Sequence, residues 1–453
     1  MAGLLGLHFE DAGEEERVAA APGGLDESET ATAAVEEVVT ESAEVAEADA
    51  EAEDMGERVE LAEDLHDTVE PVVTEGAGLD RAGMALLLTG MRRVAGKHGK
   101  HLVGRDVKME AISAGLSGRR EQTRIQFESI KDTLKQAWEA IKAAFKKAWA
   151  KVKSWYIKTF DASKKLKKRA ETIRNRAESS SSTIDKKSFT FSGAKSIAID
   201  GKLKDAGAFV TAMGTVKSLS DSILEIKKTD DVGKVAEDLA DVLGDVSATS
   251  FTAALSKIHA DIKTKTGVNG LTSTVSDPKV LASLGESKEI KVTASTELPG
   301  GKLVVNIVGK GGVGDEGSIA NLRRTRAAFV NAKDKPREVS GEASTLNSSQ
   351  VAKVCDVVID IAENIFDFKK AWENRDRDQE KTIKAIDDAF RDLSKDDEEN
   401  SSEARRNARG IAAAATALLR RDASFKAGFV AYAMGLGNVA LSYCERSMAQ
   451  YKK

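Results

Sequence analysis

The sequence predicts a mainly α protein: an acidic disordered N-terminal tail, a long basic amphipathic helix, a small α+β middle domain and a C-terminal helical region. Three observations carry that prediction. Net charge is only −5 over 453 residues, yet residues 1–80 hold 25 acidic side chains against two basic ones, and 81–178 hold 25 basic against nine acidic. The stretch Ile125 to Glu178 repeats apolar side chains every three or four residues without a proline. Alternating apolar and polar residues, the mark of strands, occur only in the middle of the chain. The length suffices for two or three domains.

Residues 1–75 are built from Ala, Glu, Val and Asp. Ala and Glu favour helix, and Val38, Val45, Val59 and Leu61 offer a thin stripe. So little apolar surface and so many like charges predict a solvated tail, or a segment that masks the basic region. In the following region, 76–183, Asp80 is placed to cap a short helix through Met84, Leu87, Leu88 and Met91. His98 and His101 lie among glycines with no Cys, Asp or Glu beside them, a poor start for a metal site.

The central helix puts Ile130, Leu134, Trp138, Ile141, Phe145, Trp149, Val152 and Trp155 on one face, with three of the four tryptophans of the chain. Lysines such as Lys146, Lys147, Lys151 and Lys153 fill the other faces, and Lys164, Lys165, Lys167, Lys168 and Arg169 extend them. Such a helix docks its aromatic stripe on other helices, or lays its cations along a polyanion without reading sequence, or lies on a membrane surface. The residues leave all three open.

Residues 187–340 read as the α+β domain. Ser188 to Leu203 predicts a strand and hairpin at an Asp-Gly turn, Phe209–Lys227 and Val232–Lys263 predict helices, and Lys288 to Gly309 predicts two strands joined near Pro299-Gly300-Gly301. Lys310-Gly311-Gly312-Val313-Gly314 resembles the start of the phosphate loop of ParA and MinD type ATPases. Asp315 and Glu316, however, stand where that loop needs a lysine and a hydroxyl. Residues 350–453 return to helix. Ala427 to Cys444 is uncharged over 18 residues, read as a buried bundle helix. Cys355 and Cys444 are too few for a disulfide framework, and no nucleophile or metal-protease motif occurs. We expect no enzyme and no cofactor.

Gly78-Leu79-Asp80, the helix Glu128 to Tyr156, its basic continuation Ala162 to Glu171 and the ending Ala440 to Lys453 together resemble the internal head proteins of phiKZ-like giant bacteriophages. The resemblance implies a virion protein inside the capsid, assembled in the host cytoplasm and packaged with the genomic DNA and other internal head proteins. It implies an acidic propeptide cut by the prohead protease after Glu in a small-any-Glu pattern, which Ala34-Val35-Glu36 and Ser42-Ala43-Glu44 fit. The alternative is a membrane-active virion protein that applies the Trp/Lys helix to the host envelope.

Overall fold

The computed structural model describes residues 25–95, 115–180, 183–203, 205–242, 257–284 apart from 259, 263 and 266, 290–309, 322, 324–333, 339, 341–393 and 402–452. The mainly α class holds. The chain divides into two compact units: Met1–Ala46 with Lys151–Asp392 and Gly410–Lys453, and Glu47–Ala150 with Leu393–Arg409.

Helix α1 covers Leu25–Thr74, where a solvated tail was expected. Composition undercounts this segment because its few apolar residues are phased. Ala31, Val35, Val38, Ser42 and Val45 are all buried, at steps of four and three. That spacing keeps one narrow stripe turned to a partner helix, so a low apolar content suffices. Residues 1–24 lie outside the described residues. Gly76 closes the helix at φ +65, with its N–H on the Val73 carbonyl.

In the second unit, α1 meets α2 (Arg81–Ala95) and the start of α3 (Leu116–Ser179). Val69, Met84, Leu87, Met91, Phe127 and Ile130 form their shared core. The Gly-Leu-Asp segment makes this junction possible. A Cβ on Gly78 would fall 2.6 Å from the Arg119 backbone, so only glycine fits there. The Leu79 N–H donates to Thr123 Oγ1 at 2.9 Å, and Asp80 caps α2 through the Gly83 N–H at 2.7 Å.

In the first unit, residues 151–179 of α3 bury Val152, Tyr156, Thr159, Ser163, Leu166, Ala170, Ile173 and Ala177. The steps alternate four and three, the same phase as α1. Helices α8 (Ser348–Leu393) and α9 (Ser402–Met448) complete the helical packing. Tyr156 stacks on Trp372 at 4.1 Å, and Gly437 of α9 lets Leu166 and Val358 approach. Helix α9 from Gly410 is long and apolar enough to cross a membrane, and 83% of its most apolar window is buried inside the protein. Burial on all sides explains its composition.

The middle segment supplies β1 (Ser188–Thr190), the short α4 (Ala194–Ile197), α5 (Ala206–Ile223), α6 (Ile226–Val242) and α7 (Pro278–Ser283). Strands β2 (Ile290–Ala294), β3 (Lys302–Gly309) and β4 (Arg326–Asn331) form an antiparallel meander. Gly300 and Gly301, at φ +75 and +68, turn β2 into β3 as expected. The first hairpin is different. Asp200 and Gly201 do form the turn, closing Ile199 on Lys202, but β1 pairs instead with β5 (Glu342–Ser344), Ser188 opposite Ser344. Local alternation reveals a strand but not its partner, here some 150 residues away.

Candidate polyanion interface on the long basic helix

The lysines of α3 face the glutamates of α1 along a ladder. In the first unit Lys158 reaches both Glu37, at 2.7 Å, and Glu41, while Lys151 meets Glu44 at 3.3 Å. In the second unit Lys147 meets Glu51 at 3.2 Å. The hydrogen bond from Lys158 holds the Glu37 carboxyl below its ordinary pKa, and the two glutamates push the Lys158 ammonium above its own. These side chains are 28–62% exposed, so water competes for each pair and salt screens it.

Beneath the ladder the two helices are joined by packing. The Trp155 indole N–H donates to the Val38 carbonyl at 2.7 Å, from a side chain only 1% exposed. Trp149, Val152 and Trp155 of the expected apolar face are buried. The side chains of Trp138, Ile141 and Phe145 lie outside the described residues. What α1 contributes is therefore an apolar stripe with an acidic flank, matched to an aromatic stripe with a basic flank.

The other basic residues divide. Lys146, Lys153, Lys164, Lys165 and Lys168 are exposed. Lys164 lies over the Phe366 ring, and Lys167 bonds Glu363 at 2.8 Å, which raises its pKa. Arg169 is turned inward and only 4% exposed. Its guanidinium donates to Thr32 of α1 and to Asn438, Ser442 and Glu445 of α9, the last at 2.8 Å. The helical count could have found this, since Arg169 falls three residues after buried Leu166 and four before buried Ile173.

The two small-any-Glu tripeptides lie within α1. Glu36 and Glu44 are exposed, but Val35 and Val45 beside them are buried, and the backbone on both sides is helical. A protease takes its substrate extended, so neither bond is accessible while α1 is docked.

Cys355 and Cys444 are buried free thiols, and burial raises the Cys444 pKa. His98, His101 and the Lys310–Glu316 glycine run lie outside the described residues. His66, Asp67 and Glu70, which the sequence did not single out, gather on α1 with ligand atoms within 4.8 Å of one another. His66 already lies 4.8 Å from the Phe127 ring, tilted against it, and is bonded to Asp67, the arrangement of a structural histidine.

A family model described as phiKZ-like phage internal head proteins matches residues 30–446 of the 453. No curated protein and no solved structure matches the chain.

Proposed function

The chain belongs to the phiKZ-like phage internal head proteins, which places it inside the virion capsid, and from that membership we propose a non-enzymatic role at the packaged genome. It is made with an acidic N-terminal segment that the prohead protease removes, after Glu36 or Glu44. The basic helix α3 then contacts phage DNA without sequence preference, or acidic surfaces of other internal head proteins. One observation carries this reading: Lys147, Lys151 and Lys158 each hold a carboxylate of α1, so the lysine face is already bound to an anionic strip. A phosphate backbone offers the same charges at higher density, and its bound counterions are released on contact. Lys146, Lys164 and Lys165 extend the face, whereas Arg169 serves the interior. Burial of Trp149 and Trp155 supports helix packing as the role of the aromatic stripe, in preference to lipid insertion.

The test is the mass and N-terminal sequence of the protein taken from virions, together with DNA binding by that processed form. A new N-terminus after a glutamate of α1, and affinity falling steeply with salt, are the expected results. A full-length virion protein would end the propeptide reading, and salt-independent binding would end the polyanion reading.

A further inference from the structure

We propose that Cys355 and Cys444 are an oxidisable pair, and that peroxide joins them in a disulfide that clamps α8 to α9. The inference stands apart from the polyanion reading.

These are the only two cysteines of the chain, and the fold brings them together inside the first unit, each 0% exposed. Helices α8 and α9 run antiparallel where they meet. A Cβ on Gly437 would lie 3.4 Å from Val358, while just ahead of α8 the Leu346 N–H donates to Ser447 Oγ at 3.2 Å. Cys355 falls one turn before Val358 and Cys444 two turns after Gly437, so both stay on the facing sides of their helices. Side chains lean toward the N-terminus of their own helix, and in an antiparallel pair these two therefore lean toward one another. The result is contact: the Cys444 thiol is hydrogen-bonded to that of Cys355. Val354, Val358, Ala440 and Leu441 beside them are apolar and fully buried.

Burial, and then the Cys355 thiol, hold the proton on Cys444 well above its ordinary pKa, which keeps the pair inert toward bulky or charged reagents. Hydrogen peroxide is small and uncharged, and local opening admits it. One thiol gives up its proton and its sulfur attacks a peroxide oxygen. The O–O bond breaks, water leaves, and the sulfur becomes a sulfenic acid. The second sulfur then attacks the first, the S–O bond breaks, and a second water leaves with the remaining proton. Two thiols are oxidised and one peroxide is reduced to two waters. The loop so closed is long, so the bond takes much freedom from the unfolded chain. A particle outside its host has no thiol pool to reverse it.

The experiment treats the reduced, folded full chain with graded hydrogen peroxide, stops it by alkylation, and maps the cysteine peptides by mass. A joined Cys355–Cys444 peptide from monomeric protein, separated again by dithiothreitol, is the expected result. The urea midpoint should rise by about 1 M on oxidation and return on reduction. Cys355→Ala and Cys444→Ala should show neither change, which also controls for methionine oxidation. Thiols that survive peroxide in the folded chain and join only in urea overturn the pair. So does oxidation of each sulfur on its own to the sulfinic acid, or joining between two copies. A joined peptide with an unchanged or lower midpoint overturns the clamp, as does a gain that either alanine variant shares.

Discussion

Two stretches of α3, about three turns bearing lysines at 147–158 and the single arginine at 169, carry the same sign of charge and are built for opposite ends. The lysines meet carboxylates at the surface, one pair at a time, where water competes for every bond. Arg169 meets four partners on two helices inside the protein. The first arrangement is reversible and suits an interface that must be vacated. The second is committed and holds α9 against α3, with Thr32 of α1 as one further acceptor. Charge on a sequence thus says little until burial is known.

The sharpest way to break this comparison is Arg169→Ala, which takes the guanidinium from Glu445 and leaves Asn438 Oδ1 with the Thr32 hydroxyl alone. A loss of about 3–5 kcal/mol is expected in denaturant unfolding followed by tryptophan fluorescence. A result near zero would mean that the interior network is ornamental. Next is Lys302 of β3, a third setting for a cation: buried, over the Phe329 ring, with Asn331 as its acceptor at 2.6 Å. Burial pulls its pKa down from 10.5 to about 8. Between those values the unfolded chain keeps a proton that the folded one releases, so stability should rise with pH from about 8 to 10.5, by about 3 kcal/mol. Lys302→Met should abolish that rise in unfolding curves taken across the same range. Trp155→Phe keeps most of the packing and removes the bond to Val38, for an expected loss of about 1–2 kcal/mol. Smallest of all, Lys158→Ala should leave the unfolding midpoint within experimental error while weakening DNA binding by the processed protein and flattening its salt dependence by about one unit of slope.

The sequence made legible whatever is local or periodic. The phase of α3, the Asp80 cap and the β2–β3 turn at Gly300-Gly301 were readable because each is set by neighbours within a few residues. The helical state of residues 25–74 was not, because its stability comes from a partner stripe rather than from its own apolar content. The pairing of β1 with β5 was hidden for the same reason. At the candidate interface the lysines were visible and their glutamate partners were in plain view, yet their register was not. Arg169 was misgrouped with Lys168 because runs of charge conceal which member falls on the inner face.

The Arg169 network also has a consequence in time. Its partner Glu445 lies 276 residues further along the chain. At about 5–20 residues per second, a ribosome needs roughly 15–55 seconds to deliver that partner after Arg169 has emerged. Throughout that interval the arginine has Thr32, already made, but none of its partners on α9. The β1 edge waits as well, until residues 342–344 are made. The first unit therefore closes its Arg169 network and its β1 edge only once residues 342–344 and 438–445 have been made.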